Sequence, residues 1–271
     1  RRADGAHEQS VRTRLLNAAP ALAIALLAID MNWAWAGFNP AVDPKLLGFT
    51  PPAMQALQAD TSLWRLTAYE PRAGKPLNAN SAWLFDFQDI RGYDSIIPKQ
   101  YTDFMWAIEP QGELLFNRIA PIKNSRSLES PLLDLLGVKY VVTEDEIAAP
   151  GFSLFYDDGA TRIYKNERAL PRAFTLPVSS TIVADDFAQA IQRYDPRKFV
   201  LVDGDALQAG LASAFTDGAA GNPSAEPGHL TPASVTSYRN NEVWVDVQIG
   251  GPSWLILADS YFPGWRAFVR P

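Results

Sequence analysis

The chain contains no cysteine, and this absence excludes a whole group of chemistries. Disulfide bonds, thiolate zinc sites, iron–sulfur clusters and thiol nucleophiles all require that residue. Histidine is nearly as scarce, with His7 and His229 alone among 271 residues. A Ser-His-Asp triad in the main part of the chain would have to use His229, whose Pro- and Gly-rich surroundings are typical of a solvated loop.

Basic residues are also fewer than acidic residues. The 24 Lys and Arg residues are outnumbered by 30 Asp and Glu, which gives a net charge of -6 and a pI near 5.0. Binding to nucleic-acid phosphates needs a basic stripe, and the sequence has none. The sequence also lacks a P-loop, a G-x-G-x-x-G fingerprint and a G-x-S-x-G elbow. We therefore predict no nucleic-acid partner, no cofactor and no metal site.

Apolar residues, by contrast, are plentiful at 47%, which is enough for a sizeable core. One apolar run, residues 15–36, is long enough to cross a hydrocarbon core as a helix and carries a single charge, Asp30. The run is preceded by four arginines and has two tryptophans near its far end: Arg1, Arg2, Arg12, Arg14, Trp33 and Trp35. Because basic residues resist translocation and tryptophan suits an interface, we expect residues 1–14 in the cytoplasm and the bulk of the chain outside it.

Two other interpretations of this run stay open. A core helix of a soluble protein can be equally apolar. A cleaved signal peptide would also fit, since Ala34-Trp35-Ala36 has the small-x-small pattern of a cleavage site. The signal-peptide interpretation still exports the remainder of the chain, whereas the core-helix interpretation does not.

The rest of the sequence predicts an α/β or α+β extracytoplasmic domain followed by a partial β-sandwich. A connector with a short helix, 37–60, leads into a mixed α/β domain, 61–205, in which helical and strand patterns alternate. The clearest unit is a helix beginning at Ser130-Pro131, ended by Gly137 and followed by a β-branched strand. Further patterns predict a hairpin around Asp157-Asp158-Gly159 and a helix over 184–194 followed by a strand.

The composition changes after residue 205. Residues 206–232 are rich in Ala, Gly, Pro and Ser, as a linker is. Three closely spaced strands, 235–238, 242–249 and 253–259, then predict the start of a β-sandwich or jelly-roll domain, 233–271, whose later strands are expected beyond this chain.

Two groups of residues are candidates for binding a sugar. The first combines charge, hydroxyls and aromatic rings after a predicted strand: Arg91, Tyr93, Asp94, Tyr101 and Trp106. The second places Tyr261 and Trp265 around a Pro-Gly turn. In both groups the alternative is structural, with the turns made by Gly92 and Pro263-Gly264 and the large aromatic rings packed in a core.

Several strings of residues, taken in order, resemble the C-terminal extracytoplasmic portion of YfhO-like bacterial membrane proteins of the C-type glycosyltransferase superfamily. They are Gly37-Phe38-Asn39-Pro40 after the apolar run, Arg91-Gly92-Tyr93-Asp94-Ser95 with Tyr101, Leu135-Leu136-Gly137-Val138-Lys139-Tyr140-Val141-Val142, Asn166 with Ala169-Leu170-Pro171-Arg172-Ala173, and Ala258-Asp259-Ser260-Tyr261-Phe262-Pro263-Gly264-Trp265.

The resemblance implies a parent enzyme that transfers a sugar from a polyprenyl-phosphate donor to a cell-envelope acceptor. Its catalytic carboxylate is expected in an earlier external loop, so no catalytic residue is predicted here. The implied partners are the lipid bilayer of a bacterial cell membrane and an envelope glycan or lipid-linked sugar. Two alternatives stay open: a non-catalytic carbohydrate-binding or envelope-assembly module, and an exported hydrolase with two carboxylates across a pocket.

Overall fold

A computed structural model describes residues 2–38, 42–112, 117–204 and 225–270. The chain separates into two compact units, Arg1–Phe49 and Thr50–Pro271. Most of the predicted linker, 206–232, together with Asn39 and Pro40 of the first resemblance string, lies outside the described residues.

The first unit consists of one long helix and a short one. Helix α1 spans Arg2–Trp35, and its section Asn17–Trp35 is long and apolar enough to cross a membrane, as predicted for residues 15–36. None of that section is buried inside the protein, which argues against a core helix. A 3-10 helix, Pro44–Gly48, follows, and the Asp43 carboxylate accepts a hydrogen bond from the Lys45 backbone amide at 2.9 Å. The direction in which α1 would cross a membrane stays a prediction.

The second unit is a mixed α/β fold with several small sheets. Its helices are α2 (Pro52–Gln58), α3 (Lys99–Ile108), α4 (Pro131–Leu135) and α5 (Phe187–Arg193). Its strands are β1 (Arg65–Tyr69), β2 (Gly92–Tyr93), β3 (Arg118–Ile119), β4 (Val138–Thr143), β5 (Phe152–Asp157), β6 (Arg162–Asn166), β7 (Ala173–Pro177), β8 (Thr181–Ala184), β9 (Val200–Asp203), β10 (Thr231–Pro232), β11 (Ser234–Arg239), β12 (Glu242–Asp246) and β13 (Ser253–Leu257).

The largest sheet has the order β1-β4-β6-β5, with β1 and β4 parallel and the other pairs antiparallel. Successive side chains of β4 point to opposite faces, as they must in a strand. Val141 packs in one hydrophobic core with Met105 of α3 and Leu133 of α4. Val142 packs in a second core with Leu57 of α2. The sheet is therefore covered on both faces, which explains why five of the six residues of β4 are buried.

The segment from α4 to β4 confirms the clearest sequence prediction. The Ser130 hydroxyl accepts a hydrogen bond from the Leu132 backbone amide at 3.3 Å and caps the helix. Gly137 ends it with φ of +70°, a conformation that costs little only for glycine. The predicted hairpin at 157–159 and the helix before β9 are also confirmed, the latter with Asp186 as its cap.

The predicted C-terminal strands are confirmed as β11, β12 and β13, but they join different sheets. Strands β11 and β12 form a hairpin. Strand β13 pairs antiparallel with β7, which precedes the predicted linker, and β10 pairs with the other edge of β7. The closure of these strands into a β-sandwich stays a prediction, as do the domain boundaries within residues 50–271.

Candidate functional site

A cluster of two arginines, one aspartate and one tyrosine joins four distant segments. This arginine–aspartate cluster consists of Arg65 in β1, Arg172 before β7, Tyr238 in β11 and Asp259 after β13. Arg172 Nη2 donates to Asp259 Oδ1 at 2.6 Å and to the Tyr238 hydroxyl at 3.0 Å. Arg65 Nη2 forms a second ion pair with the same Asp259 oxygen. The cluster therefore ties β1, β7, β11 and β13 together.

One carboxylate in this cluster is paired with two guanidinium groups, which leaves one positive charge uncompensated among the three side chains. The side chains of Arg65, Arg172 and Asp259 expose only 14%, 2% and 18% of their surface, so water screens their charges weakly. Burial and then repulsion by Arg172 lower the pKa of Arg65, against the opposing attraction of Asp259. Arg65 Nη1 also donates to the carbonyls of Leu136 and Ala258 at 2.8 and 2.6 Å.

A cavity of about 540 Å³ adjoins this cluster and has Arg65 in its wall. We name it the Trp83 cavity, because an exposed indole forms one side of it. Its lining residues are Arg65, Trp83, Asp86, Phe87, Gln88, Asp89 and Asn240. The volume lies within the range of small-molecule sites, and the wall combines one aromatic ring with amides and carboxylates.

The backbone around Trp83 holds this side chain outward. Trp83 lies in a 3-10 helix, Ser81–Phe85, which is flanked by Asn80 at φ +68° and Asp86 at φ +59°. Left-handed backbone is uncommon outside glycine and is best tolerated by Asn and Asp. The neighbouring Ala82 is completely buried, whereas Trp83 is 74% exposed. The buried alanine and the two left-handed residues together anchor the segment while leaving the indole in solvent.

Some polar side chains of the cavity form hydrogen bonds or ion pairs within the described part of the protein, and others do not. Gln88 Oε1 accepts a hydrogen bond from Arg172 at 2.6 Å, and the Asp89 carboxylate pairs with Arg91 at 2.8 Å. Among the residues that the structure describes, the side chains of Asp86 and Asn240 have no hydrogen bond or ion pair. A carboxylate and an amide are therefore available to a ligand beside the indole.

The structure places the first predicted group of site residues in different environments. Arg91 is buried between Asp89 and Glu70, its Nη1 lying 3.2 Å from Glu70 Oε1. The Tyr101 hydroxyl donates to the Ile90 carbonyl at 2.5 Å, and burial raises the pKa of Tyr101. These two residues already have partners inside the protein. A role for them in binding a ligand stays a prediction.

The other three residues of this group are exposed. Tyr93 lies beside the Trp83 segment, because Asn80 Nδ2 donates to the Tyr93 carbonyl at 2.6 Å and the Tyr93 amide donates to Asn80 Oδ1 at 3.0 Å. Asp94 accepts a hydrogen bond from the backbone amide of Ser95 at 2.6 Å. Trp106 is exposed on α3 and does not line the Trp83 cavity.

Tyr261 and Trp265, the second predicted group, are also exposed. Gly264 makes the turn with φ of +113°, and the Trp265 amide donates to the Phe262 carbonyl at 3.2 Å. Trp265 is 40% exposed, so it does not fill a core within the described part of the chain, and its packing in a complete β-sandwich stays a prediction. Whether these rings bind a sugar stays a prediction.

A second cavity, of about 240 Å³, bears on the hydrolase alternative. It lies at the carboxyl ends of the parallel strands β1 and β4 and contains Glu70, Glu144 and Asp145. Burial raises the pKa of Glu70, against the opposing effect of Arg91. Glu70 pairs with Arg91 and Asp145 pairs with Arg72, so this cavity offers no matched pair of free carboxylates of the kind that glycoside hydrolysis requires. In the described part of the chain, no group of three or more His, Asp or Glu side chains could hold a metal ion.

Sequence reasoning missed Trp83, Asp86 and Asn240. A signal for the first two was present, since Asn80 and Asp86 flank the apolar string Ser81-Ala82-Trp83-Leu84-Phe85 and are residues that favour turns. No local signal predicts that Asn240, at the tip of the β11–β12 hairpin, reaches the same cavity.

Comparison of the chain with protein-family models, curated proteins and solved structures finds no match.

Proposed function

We propose that this chain binds a cell-envelope carbohydrate at the Trp83 cavity, beside the membrane in which α1 anchors it. In the intact protein it would be the extracytoplasmic part of a polyprenyl-phosphate-dependent glycosyltransferase that binds or positions a substrate, with catalysis elsewhere. The observation that carries the proposal is the exposed indole of Trp83 in a cavity that also presents a free carboxylate, Asp86, and a free amide, Asn240.

This combination suits the chemistry of a sugar. A pyranose ring has a face of C–H groups that packs on an aromatic ring, and hydroxyl groups around its edge that need hydrogen-bond partners. Asp86 can accept hydrogen bonds from two hydroxyls, and Asn240 can both donate and accept. An indole without polar neighbours would suit a purely apolar ligand equally well, so the two polar side chains favour a carbohydrate.

The resemblance to YfhO-like proteins supports the placement within a glycosyltransferase. Two of the strings that carry it contribute the charged partners of the arginine–aspartate cluster, Arg172 from Leu-Pro-Arg-Ala and Asp259 from Ala-Asp-Ser. This cluster adjoins the cavity through Arg65. On this proposal β11, β12 and β13 are the first strands of a β-sandwich, and the arginines before α1 keep that end in the cytoplasm. The same cavity would also serve a non-catalytic carbohydrate-binding or envelope-assembly module.

A glycan array tests the binding proposal directly. The full chain, reconstituted in lipid nanodiscs, would be applied to neutral, amino and acidic oligosaccharides of bacterial envelopes. Trp83→Ala should weaken binding at least tenfold, since a central aromatic anchor contributes about 2 kcal/mol or more. Leu84→Ala is the matched control, because Leu84 lies in the same 3-10 helix, is equally exposed and does not line the cavity.

Two results would contradict the proposal. The first is the absence of any retained glycan. The second is equal binding by Trp83→Ala and Leu84→Ala, which would move the site elsewhere, for example to Tyr261. If Trp83→Ala does weaken glycan binding, a transfer assay on the whole parent protein separates the two candidate functions. Trp83→Ala should impair sugar transfer if the parent is a glycosyltransferase, whereas a non-catalytic binding module has no transfer activity to impair.

A further inference from the structure

The segment that follows α1, residues 42–49, exposes an unusual amount of apolar surface. Val42, Leu46 and Phe49 are 64%, 61% and 60% exposed. Leu46 lies in the 3-10 helix Pro44–Gly48, and Phe49 is the residue directly after it. More than half of the surface of each of these side chains is exposed, and three large apolar groups within eight residues are unfavourable in water.

The position of this segment in the chain indicates what covers it. The candidate span ends at Trp35, and the exposed Trp33 and Trp35 are residues that favour the membrane–water interface. Only six residues separate Trp35 from Val42, so an extended chain can move the segment no more than about 25 Å from the end of the span. The headgroup layer, about 5–8 Å thick on each side, is well within that reach.

We propose that residues 42–49 lie in the membrane interface, with Val42, Leu46 and Phe49 at the boundary between headgroups and acyl chains. Lys45, which is exposed, would then lie among the lipid phosphates, while Asp43 is already engaged as the cap of the 3-10 helix. This inference rests on the membrane anchor of the proposed function. If α1 spans the bilayer, the chain that directly follows it emerges into the interface of that same bilayer. The lipid interface is therefore the apolar surface nearest to these side chains.

The absence of cysteine allows a direct test in the full chain. Single variants Leu46→Cys and Phe49→Cys would be spin-labelled after reconstitution into vesicles of phosphatidylethanolamine and phosphatidylglycerol. Collision rates with oxygen, which partitions into lipid, and with a water-soluble nickel chelate report the depth of each label. Leu26→Cys, within the candidate span, is the lipid control, and Lys99→Cys, on the exposed start of α3, is the aqueous control. Because the substituted side chains are exposed, the fold should tolerate all four changes.

The expected result is that the labels at 46 and 49 collide more with oxygen than with the chelate, at a depth between those of the two controls. If Leu26→Cys reports lipid while both segment labels report water, the inference is overturned and the anchor stands. If Leu26→Cys itself reports water, the anchor of the proposed function fails. Segment labels shielded from both reagents would mean that another protein surface, such as a second copy of this chain, covers them, and would also overturn the lipid assignment.

Discussion

Replacing Asp259 with asparagine removes the one negative charge that lies between two buried guanidinium groups. The asparagine keeps the size of the side chain and one carbonyl oxygen that can accept a hydrogen bond from Arg172. What it removes is the attraction that offsets the desolvation of Arg65 and Arg172, whose side chains are 14% and 2% exposed. Arg172 Nε is already buried without a hydrogen-bond partner, so this arginine has little scope to find a substitute.

The expected cost is large for a single isosteric change. Removing one member of a buried ion pair costs about 3–5 kcal/mol, because the remaining charge is left uncompensated. For a unit of this size each kcal/mol lowers Tm by about 2–4 °C, so Asp259→Asn should lower Tm by roughly 6–20 °C. Asp103→Asn is the matched control, since its pair with Lys99 is on the surface of α3 and is worth about 0.5 kcal/mol or less.

The assay is thermal unfolding of the full chain in nanodiscs, followed by the near-ultraviolet circular dichroism of its aromatic residues. A double-mutant cycle then tests the cause. In an Arg65→Met background the cost of Asp259→Asn should be smaller, because one charge fewer is left uncompensated. If Asp259→Asn and Asp103→Asn shift Tm equally, or if Arg65→Met does not change the cost, the electrostatic explanation of the cluster is refuted.

Three further predictions concern single residues. Gly137→Ala should lower the free energy of unfolding, measured by chemical denaturation, by about 1–2 kcal/mol, because the φ of Gly137 is +70° and a Cβ would lie 3.2 Å from Arg172 Cδ. Gly112→Ala is the control and should cost far less, since a Cβ there would meet no atom of the described residues within 4 Å. Burial raises the pKa of Asp60, but hydrogen bonds from Lys139, Ser62 and Tyr140 lower it by more, to well below its usual range. Its stabilising effect is therefore fully present above about pH 4 and is lost progressively as pH falls below that value, so the difference between the unfolding free energies of wild type and Asp60→Asn should shrink steadily as pH falls from 6 to 2.5. Asp86→Asn, which keeps a residue that tolerates φ of +59°, should weaken glycan binding about tenfold in the array and leave Tm unchanged.

The elements that sequence predicted well are those whose signals lie next to each other in the chain. Ser130, Pro131 and Gly137 specify the start and end of α4 within eight residues, and the apolar β4 follows at once. The hairpin of β5 and β6 is equally local, because its turn residues lie between its strands. The pairing of β13 with β7 has no such signal, since the two strands are separated by more than 70 residues and no local pattern selects the partner.

The candidate site was less predictable for the same reason. Asp259 meets Arg172 across 87 residues and Arg65 across 194, so only the folded chain brings them together. Arg91 is the opposite case. Its partner Asp89 stands two residues away in the sequence, and this spacing was a visible indication that the arginine has an internal partner. An arginine beside a carboxylate of its own segment is a weaker ligand candidate than its charge alone indicates.

The cavity and the stability of the fold are linked, because Arg65 belongs to both the cluster and the cavity wall. A glycan that binds only the folded cavity stabilises the protein, by about 2.7 kcal/mol at a concentration of 100 times Kd. That corresponds to a rise in Tm of roughly 5–11 °C. Trp83→Ala should leave the ligand-free Tm nearly unchanged, since its side chain is in solvent, yet at the same ligand concentration a tenfold or greater loss of affinity should reduce the rise to about half or less, whereas Leu84→Ala should retain it. A glycan that raises Tm equally in both variants binds somewhere other than the Trp83 cavity.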